Sequence, residues 1–324
     1  MASWAESHSN HYVAAQGYSD KRRLEAPRVN VPPPDLNYRN GTPTFHVHGL
    51  PYNRTSGQYG HHEFLRALVS CHRFDLAHSM LTWQYEMRRN AQAILPFLFL
   101  GPSSVARDPA FVCDSGITLL VAARSSKSVR ARKSFLDPAT FASSAGIATW
   151  TFDFDHPAEF ISLVKPVIRA INEHLEATCA RTPIRDIHDV CGKVLIFCES
   201  GNDRSALLVA AYLMVVFGVE AIAAIHMVQS QRFCITLSDD MKNVLLDLQT
   251  ITTAERQVSD ADAVMKPFVM PSNDDGSVAT RPRRPSKRNI DELYTSDDDM
   301  RNGVERLVET NVREGVAPFV DVAD

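Results

Sequence analysis

Residues 193–197 are an apolar run of strand length, residues 206–217 are a longer apolar run without Gly or Pro, and the loop between them carries Cys198, Gly201, Arg204 and Ser205. No other stretch limits the possible folds as much. The first run has the length of a buried strand. The second is too long for one and reads as a buried helix. A loop that feeds a helix N-terminus has unpaired backbone N–H groups and the positive end of the helix dipole directed into it, so it suits an anion. The same field favours a thiolate over a thiol at Cys198.

Each residue of the loop has a chemical use. Cys198, six positions before Arg204, supplies a nucleophile for phosphorus. Arg204 supplies a planar fork of donors that matches two phosphate oxygens, which Lys cannot do. Gly201 lets the backbone turn tightly and approach the phosphate. Ser205 can offer a hydroxyl to the sulfur and ease its departure from a phosphocysteine. Glu199, Ser200, Asn202 and Asp203 complete the phosphate-binding loop through their amides. A Cys and an Arg at this spacing also arise by chance, and a buried Cys is usually inert packing. The strand before, the Gly within, the Ser after and the helix beyond turn the pair into a phosphate-binding loop.

The segment resembles the cysteine-dependent protein tyrosine phosphatases, and among them the dual-specificity branch. Residues 94–102, with Pro96, Gly101 and Pro102 among apolar neighbours, and 116–121, which begin at Gly116, look like the start of such a domain. Residues 228–235, including Gln231, Arg232, Phe233 and Cys234, are similar to the matching segment of the phosphoserine/threonine/tyrosine-interacting pseudophosphatases. The resemblance spans roughly residues 91–250. It implies an α/β fold with a mostly parallel central sheet flanked by helices, no cofactor, no metal, and a phosphorylated protein as substrate. It further implies hydrolysis of phosphotyrosine and phosphoserine/threonine through a phosphocysteine. Two departures stand out. Family members usually carry His before the Cys, where this chain has Phe197, and Glu199 and Asp203 place two negative charges in the loop. Loop side chains are expected to splay outward while the amides converge, leaving a less electropositive rim. Such a rim disfavours phosphoinositides and leaves phosphoproteins. The alternative is a pseudophosphatase that binds phosphoproteins without turning them over.

A third catalytic group should be an Asp that protonates the leaving oxygen and then deprotonates water. Asp153 and Asp155 precede the amphipathic run 160–175, and Asp155 lies 43 positions before Cys198. Asp155 is preferred because it sits at a helix start. Asp is also a common cap there, and the alternative is that both acids are ordinary caps or turn residues.

The remaining sequence sets the frame. The chain has 324 residues, 44% hydrophobic and 22% charged, with a net charge of −4. That suits one good-sized core with tails and gives no sign of a nucleic-acid partner. No run reaches the roughly 18–20 apolar residues of a membrane span, and the N-terminus lacks a signal-peptide pattern. The six cysteines show no zinc or disulfide spacing. A monomer in the cytoplasm, the nucleus or both is expected. Residues 1–60 read as disordered, with His46, His48, His61 and His62 as surface histidines. Residues 61–90 read as a helical extension, a pair of amphipathic helices carrying Phe64, Leu68, Met80, Trp83 and Met87. Residues 91–255 form the phosphatase-like domain and 256–324 a mostly disordered tail with a basic cluster at 281–288 and a short amphipathic segment near Leu307. Strands are expected at 97–100, 118–122, 148–152 and 194–197. The basic stretch 124–133 reads as a solvated loop or a grip for acidic substrate, and His226 and Cys234 as packing residues.

Overall fold

The computed structural model describes residues 26–54, 57–70, 74–142, 146–179 and 186–265. Strands β1 (Asn37–Arg39) and β2 (Thr42–Val47) form a hairpin closed by Asn40 and Gly41, at φ 51° and 79°. Asn-Gly with both residues at positive φ matches the twist of the strands it joins. Pro43, Phe45 and Val47 alternate inward along β2, and Phe45 and Val47 are buried in the main core. Residues 37–47 are therefore folded, in contrast to the expected disorder of 1–60. Their two-residue period is short and interrupted by Pro43 and His46, which hides it in the sequence.

Helix α1 (His62–Ser70) is followed by β3 (Phe74–Ala77), which pairs antiparallel with β2 in a three-stranded sheet ordered β1-β2-β3. Two short 3-10 turns, Ser79–Leu81 and Tyr85–Arg89, complete the segment. The expected pair of helices over 61–90 is thus one helix, a strand and two turns. Met80 is exposed and no residue of either turn is buried, so the spacing of Met80, Trp83 and Met87 marks no apolar face.

The second sheet carries the functional loop. It is built from β4 (Gln92–Leu95), β5 (Leu98–Pro102), β6 (Leu119–Arg124), β7 (Ala148–Asp153) and β8 (Val194–Cys198) in the order β4-β5-β8-β6-β7. Strands β5, β8, β6 and β7 run parallel, and β4 closes one edge antiparallel. The mixed, mostly parallel sheet with flanking helices is the α/β class the sequence implies. Between β5 and β7 come α2 (Ser103–Ala106), α3 (Pro109–Asp114), α4 (Ser126–Ala131) and α5 (Ala139–Ala142). After β7 come α6 (Pro157–Cys179), then α7 (Arg204–Phe217), α8 (Ala221–Gln231) and α9 (Asp239–Met265) around β8. Helix α9 continues ten residues beyond the expected boundary at 255.

Central β8 is buried along its whole length, and its pleat sorts side chains between two cores. Val194, Ile196 and Cys198 belong to the large core with α6 to α9, while Leu195 and Phe197 join the small core with Val105, Leu120 and Leu136. Helix α7 is buried from Ser205 to Phe217, which explains why its sequence is apolar on every side. Extended residues before β1 lie along α8 and α9: the Asn243 side chain donates to the Pro27 carbonyl at 2.7 Å, and a His226 ring nitrogen lies 2.6 Å from the Pro32 carbonyl. His226 therefore holds the N-terminal segment rather than acting only as packing. The basic cluster at 281–288 and the segment near Leu307 lie outside the described residues.

Candidate active site

Strand β8 ends at Cys198, at the C-terminal end of the parallel strands, and α7 begins six residues later at Arg204. The loop between them is shaped by Gly201, at φ +75°; a Cβ there would lie 2.4 Å from the Gly101 carbonyl carbon and 2.6 Å from the Pro102 nitrogen. Only Gly fits such a turn against the neighbouring strand. The loop is pinned to the start of α2 by the Ser103 amide and hydroxyl, each 3.4 Å from the Glu199 carbonyl oxygen.

Four groups surround the sulfur. The Ser205 hydroxyl donates to Cys198 Sγ at 3.0 Å and the Gly201 amide at 3.2 Å, while Ser200 Oγ stands 3.9 Å away. The thiol itself donates to Asp203 Oδ1 at 2.9 Å. The same carboxylate oxygen takes the Arg204 amide at 2.7 Å, and Oδ2 lies 3.8 Å from the Arg204 guanidinium. Asp203 thus points inward, against the expectation that loop side chains splay away. The cause is the helix N-terminus itself: its free amide attracts whichever anion is nearest, and Asp203 caps it. Glu199 is exposed, as expected.

Arg204 is half-buried. Its Nε is buried without a hydrogen-bond partner, and its guanidinium lies 3.7 Å from Asp155 Oδ1 and 5.8 Å from the Phe154 ring centroid. A guanidinium nitrogen left unpaired in a protein interior is costly, and an anion in the loop would satisfy it. A cleft of about 860 Å³ opens on this side, walled by Phe154, Phe160, Leu207 and Met241 and by Pro27 and Arg28 of the N-terminal segment.

The two acids after β7 have different surroundings. Asp153 is held by Arg124 in a two-pronged ion pair, Nε and NH2 each 2.7 Å from a carboxylate oxygen. Asp155 is the acid beside Arg204, and its side chain is only 7% exposed. It accepts from the Ser125 hydroxyl and the Lys127 amide, both at 2.7 Å. Burial pushes its carboxyl up, but the Ser125 and Lys127 hydrogen bonds and the Arg204 and Lys127 charges outweigh burial and hold it below the ordinary carboxylate range. The basic stretch 124–133 therefore includes a structured helix start bound to Asp155. Its Arg124 is buried and spent on Asp153.

Beneath the loop lies a residue whose role its sequence neighbours conceal. Arg232, wholly buried, donates to the Gly201 carbonyl at 3.0 Å, the Ser200 carbonyl at 3.2 Å and Asn202 Oδ1 at 3.0 Å. It also reaches the Asn90 and Arg88 carbonyls at 2.7 Å each, and the Gln92 side chain. Engaging the loop's carbonyls from below leaves amides for the other face. The Cys234 thiol donates to Asn202 Oδ1 at 3.2 Å, so it too supports the loop, a correction to its reading as core packing. The family resemblance of residues 228–235 marks Arg232 in the sequence but does not say what it holds. Phe197 packs into the small core near Phe141, with ring centroids 6.4 Å apart, and offers the loop no hydrogen bond.

The model of the dual specificity phosphatase catalytic domain matches residues 169–251. Serine/threonine/tyrosine-interacting protein A of Xenopus laevis is 33% identical over 175 residues, which cover 53% of this chain and 70% of that protein. The chain belongs to the dual-specificity phosphatase family. The Homo sapiens serine/threonine/tyrosine-interacting protein is 30% identical over the same shares of each chain. The crystal structure of the human tyrosine phosphatase-like serine/threonine/tyrosine-interacting protein shares 27% identity, covers 51% of this chain and 99% of that one, and gives a TM-score of 0.39. In this chain the matched residues include the whole phosphate loop and Arg232 but not Asp155.

Proposed function

We propose that this member of the dual-specificity phosphatase family is an active phosphatase of phosphoproteins, with Cys198 as nucleophile, Arg204 and the loop amides as the phosphate clamp, Ser205 as partner of the sulfur and Asp155 as the acid facing the clamp. The observation that carries the reading is the pairing of a buried Cys198, hydrogen-bonded by Ser205 and Gly201, with an Arg204 whose Nε has no other partner. In the first step the sulfur, as thiolate, attacks phosphorus and the ester P–O bond breaks, the leaving oxygen taking a proton from Asp155. In the second, water attacks the phosphocysteine, Asp155 accepts its proton, and the P–S bond breaks to return the thiolate beside Ser205.

One contact favours a second reading, a phosphoprotein binder with little turnover. With Asp203 2.9 Å from the sulfur, the thiol is a donor in this structure, and a thiolate there would face a carboxylate at contact distance. Asp155, held ionised by Ser125, Lys127 and Arg204, would also have to take up a proton before acting as the acid. Phosphate release from a small aryl phosphate between pH 5 and 8, measured beside Cys198→Ser and Asp155→Asn, separates the two. Release abolished by Cys198→Ser supports the enzyme. Equal background release from wild type and Cys198→Ser, with phosphopeptide binding intact in both, would leave the binder.

A further inference from the structure

We infer that Arg88 and Arg89 form a second anion subsite beside the phosphate loop, taking an acidic side chain, carboxylate or phosphate, that flanks the phosphorylated residue of a bound peptide. The inference rests on the reading of the Cys198 loop as a phosphopeptide site. A cavity of about 180 Å³ lies against the loop, lined by Arg88, Arg89, Pro102, Ser104, Ser200 and Asn202. At roughly 30 Å³ for each water, it has room for the head of an acidic side chain. It shares no lining residue with the cleft at Arg204 and Asp155, so the two pockets flank the loop separately.

The pocket is built rather than incidental. One terminal nitrogen of Arg232 bridges the Arg88 and Ser200 carbonyls, the other holds the Asn90 carbonyl, and Nε holds the Gly201 carbonyl. That cross-link fixes the main chain of the 3-10 turn Tyr85–Arg89 at a set position relative to the loop, while leaving both arginine side chains unspent. The Arg88 guanidinium lies 4.0 Å from the Tyr85 ring centroid, which holds it in place by cation–π attraction. Its Nε is buried and has no hydrogen-bond partner, and among the described residues neither arginine makes a salt bridge. Glu86, two residues before Arg88, and Glu199, in the phosphate loop, are both exposed. Two uncompensated guanidinium forks beside a phosphate loop match a second anion on the same ligand.

Binding to the full chain carrying Cys198→Ser tests this with phosphotyrosine peptides whose flanks are all glutamine, or carry glutamate or phosphoserine at one flanking position at a time. The expected result is about tenfold tighter binding at one register, more for phosphoserine than for glutamate, shrinking with added salt. Arg88→Gln with Arg89→Gln should erase that gain and leave the glutamine-flanked affinity unchanged. Arg89→Gln alone, at an exposed position, should halve the gain or more and guards against misfolding of the double variant. No gain at any register, or a gain that survives both variants, would overturn the subsite while leaving the phosphate loop intact. A glutamine-flanked peptide that fails to bind a chain melting at the parent's temperature would overturn the loop reading and the subsite with it.

Discussion

Replacing Asp203 by Asn tests whether the loop's own carboxylate competes with phosphate. Asp203 Oδ1 occupies the Arg204 amide at 2.7 Å and takes the Cys198 thiol at 2.9 Å, so an incoming phosphoryl group must displace it and then sit beside its charge. Two unit charges 4 Å apart interact by about 1 kcal/mol in water and about 4 kcal/mol at an effective dielectric of 20. The Asp203 side chain is 37% exposed, which places the repulsion between these limits, at about 2 kcal/mol per unit charge, or roughly 30-fold in affinity. Asn can still cap the helix, so stability should change little. Titration calorimetry with a phosphotyrosine peptide on Cys198→Ser, with and without Asp203→Asn, reads the affinity. Hydrolysis of an aryl phosphate by the chain that keeps Cys198 reads the consequence for turnover, and both should rise by at least tenfold. Unchanged affinity would refute the competition. A fall in hydrolysis would mean that Asp203 helps to remove the thiol proton rather than opposing the thiolate.

Gly201→Ala adds a Cβ 2.4 Å from the neighbouring backbone at φ +75°; it should cost roughly 2–5 kcal/mol, combining strained dihedrals with overpacking, and lower the melting temperature by about 5–15 °C. Gly41→Ala, at φ +79° with nothing within 4 Å of the new Cβ, carries only the dihedral cost of about 1 kcal/mol, so equal melting shifts for the two would contradict the close approach. Asp155 is held below the ordinary carboxylate range, which means that its contacts stabilise the fold fully above about pH 4 and fade as pH falls through the lowered folded value. The unfolding free energy of wild type minus that of Asp155→Asn should accordingly be flat from pH 8 to 5 and shrink below pH 4; growth of that difference in acid would reverse the assignment. Arg232→Met strands the carbonyls of Ser200, Gly201, Arg88 and Asn90 and should cost about 3–5 kcal/mol in urea unfolding. It should also weaken phosphopeptide binding although Arg232 touches no ligand, and intact binding would show that the loop holds its shape without it.

The phosphate loop was legible because its parts are local. A strand, a loop and a helix adjacent in sequence bring Cys198, Gly201, Arg204 and Ser205 together without any distant contact, and length alone separated the buried strand from the buried helix. The parallel strands were legible for the same reason, as short apolar runs divided by helical ones. The hairpin at Asn40 and Gly41 was also written locally, but Pro43 and His46 of β2 blurred its period. The turns at 79–89 mimicked a helix, since three- and four-residue spacing also arises where no face is buried.

What the sequence determined by itself is the chemistry the loop can offer: a thiol, a guanidinium and a helix N-terminus in one short segment. The direction of the Asp203 carboxylate, the choice of Asp155 over Asp153 as neighbour of Arg204, and the support of the loop by Arg232 were decided by tertiary structure. The last two depend on groups far along the chain, Arg124 claiming Asp153 and Arg232 reaching the loop and the turn before β4, while Asp203 turns to the amide of the first residue of α7 once that helix is in place. Periodicity and composition report which face of an element is buried, whereas hydrogen bonds between distant elements depend on where packing brings them to rest.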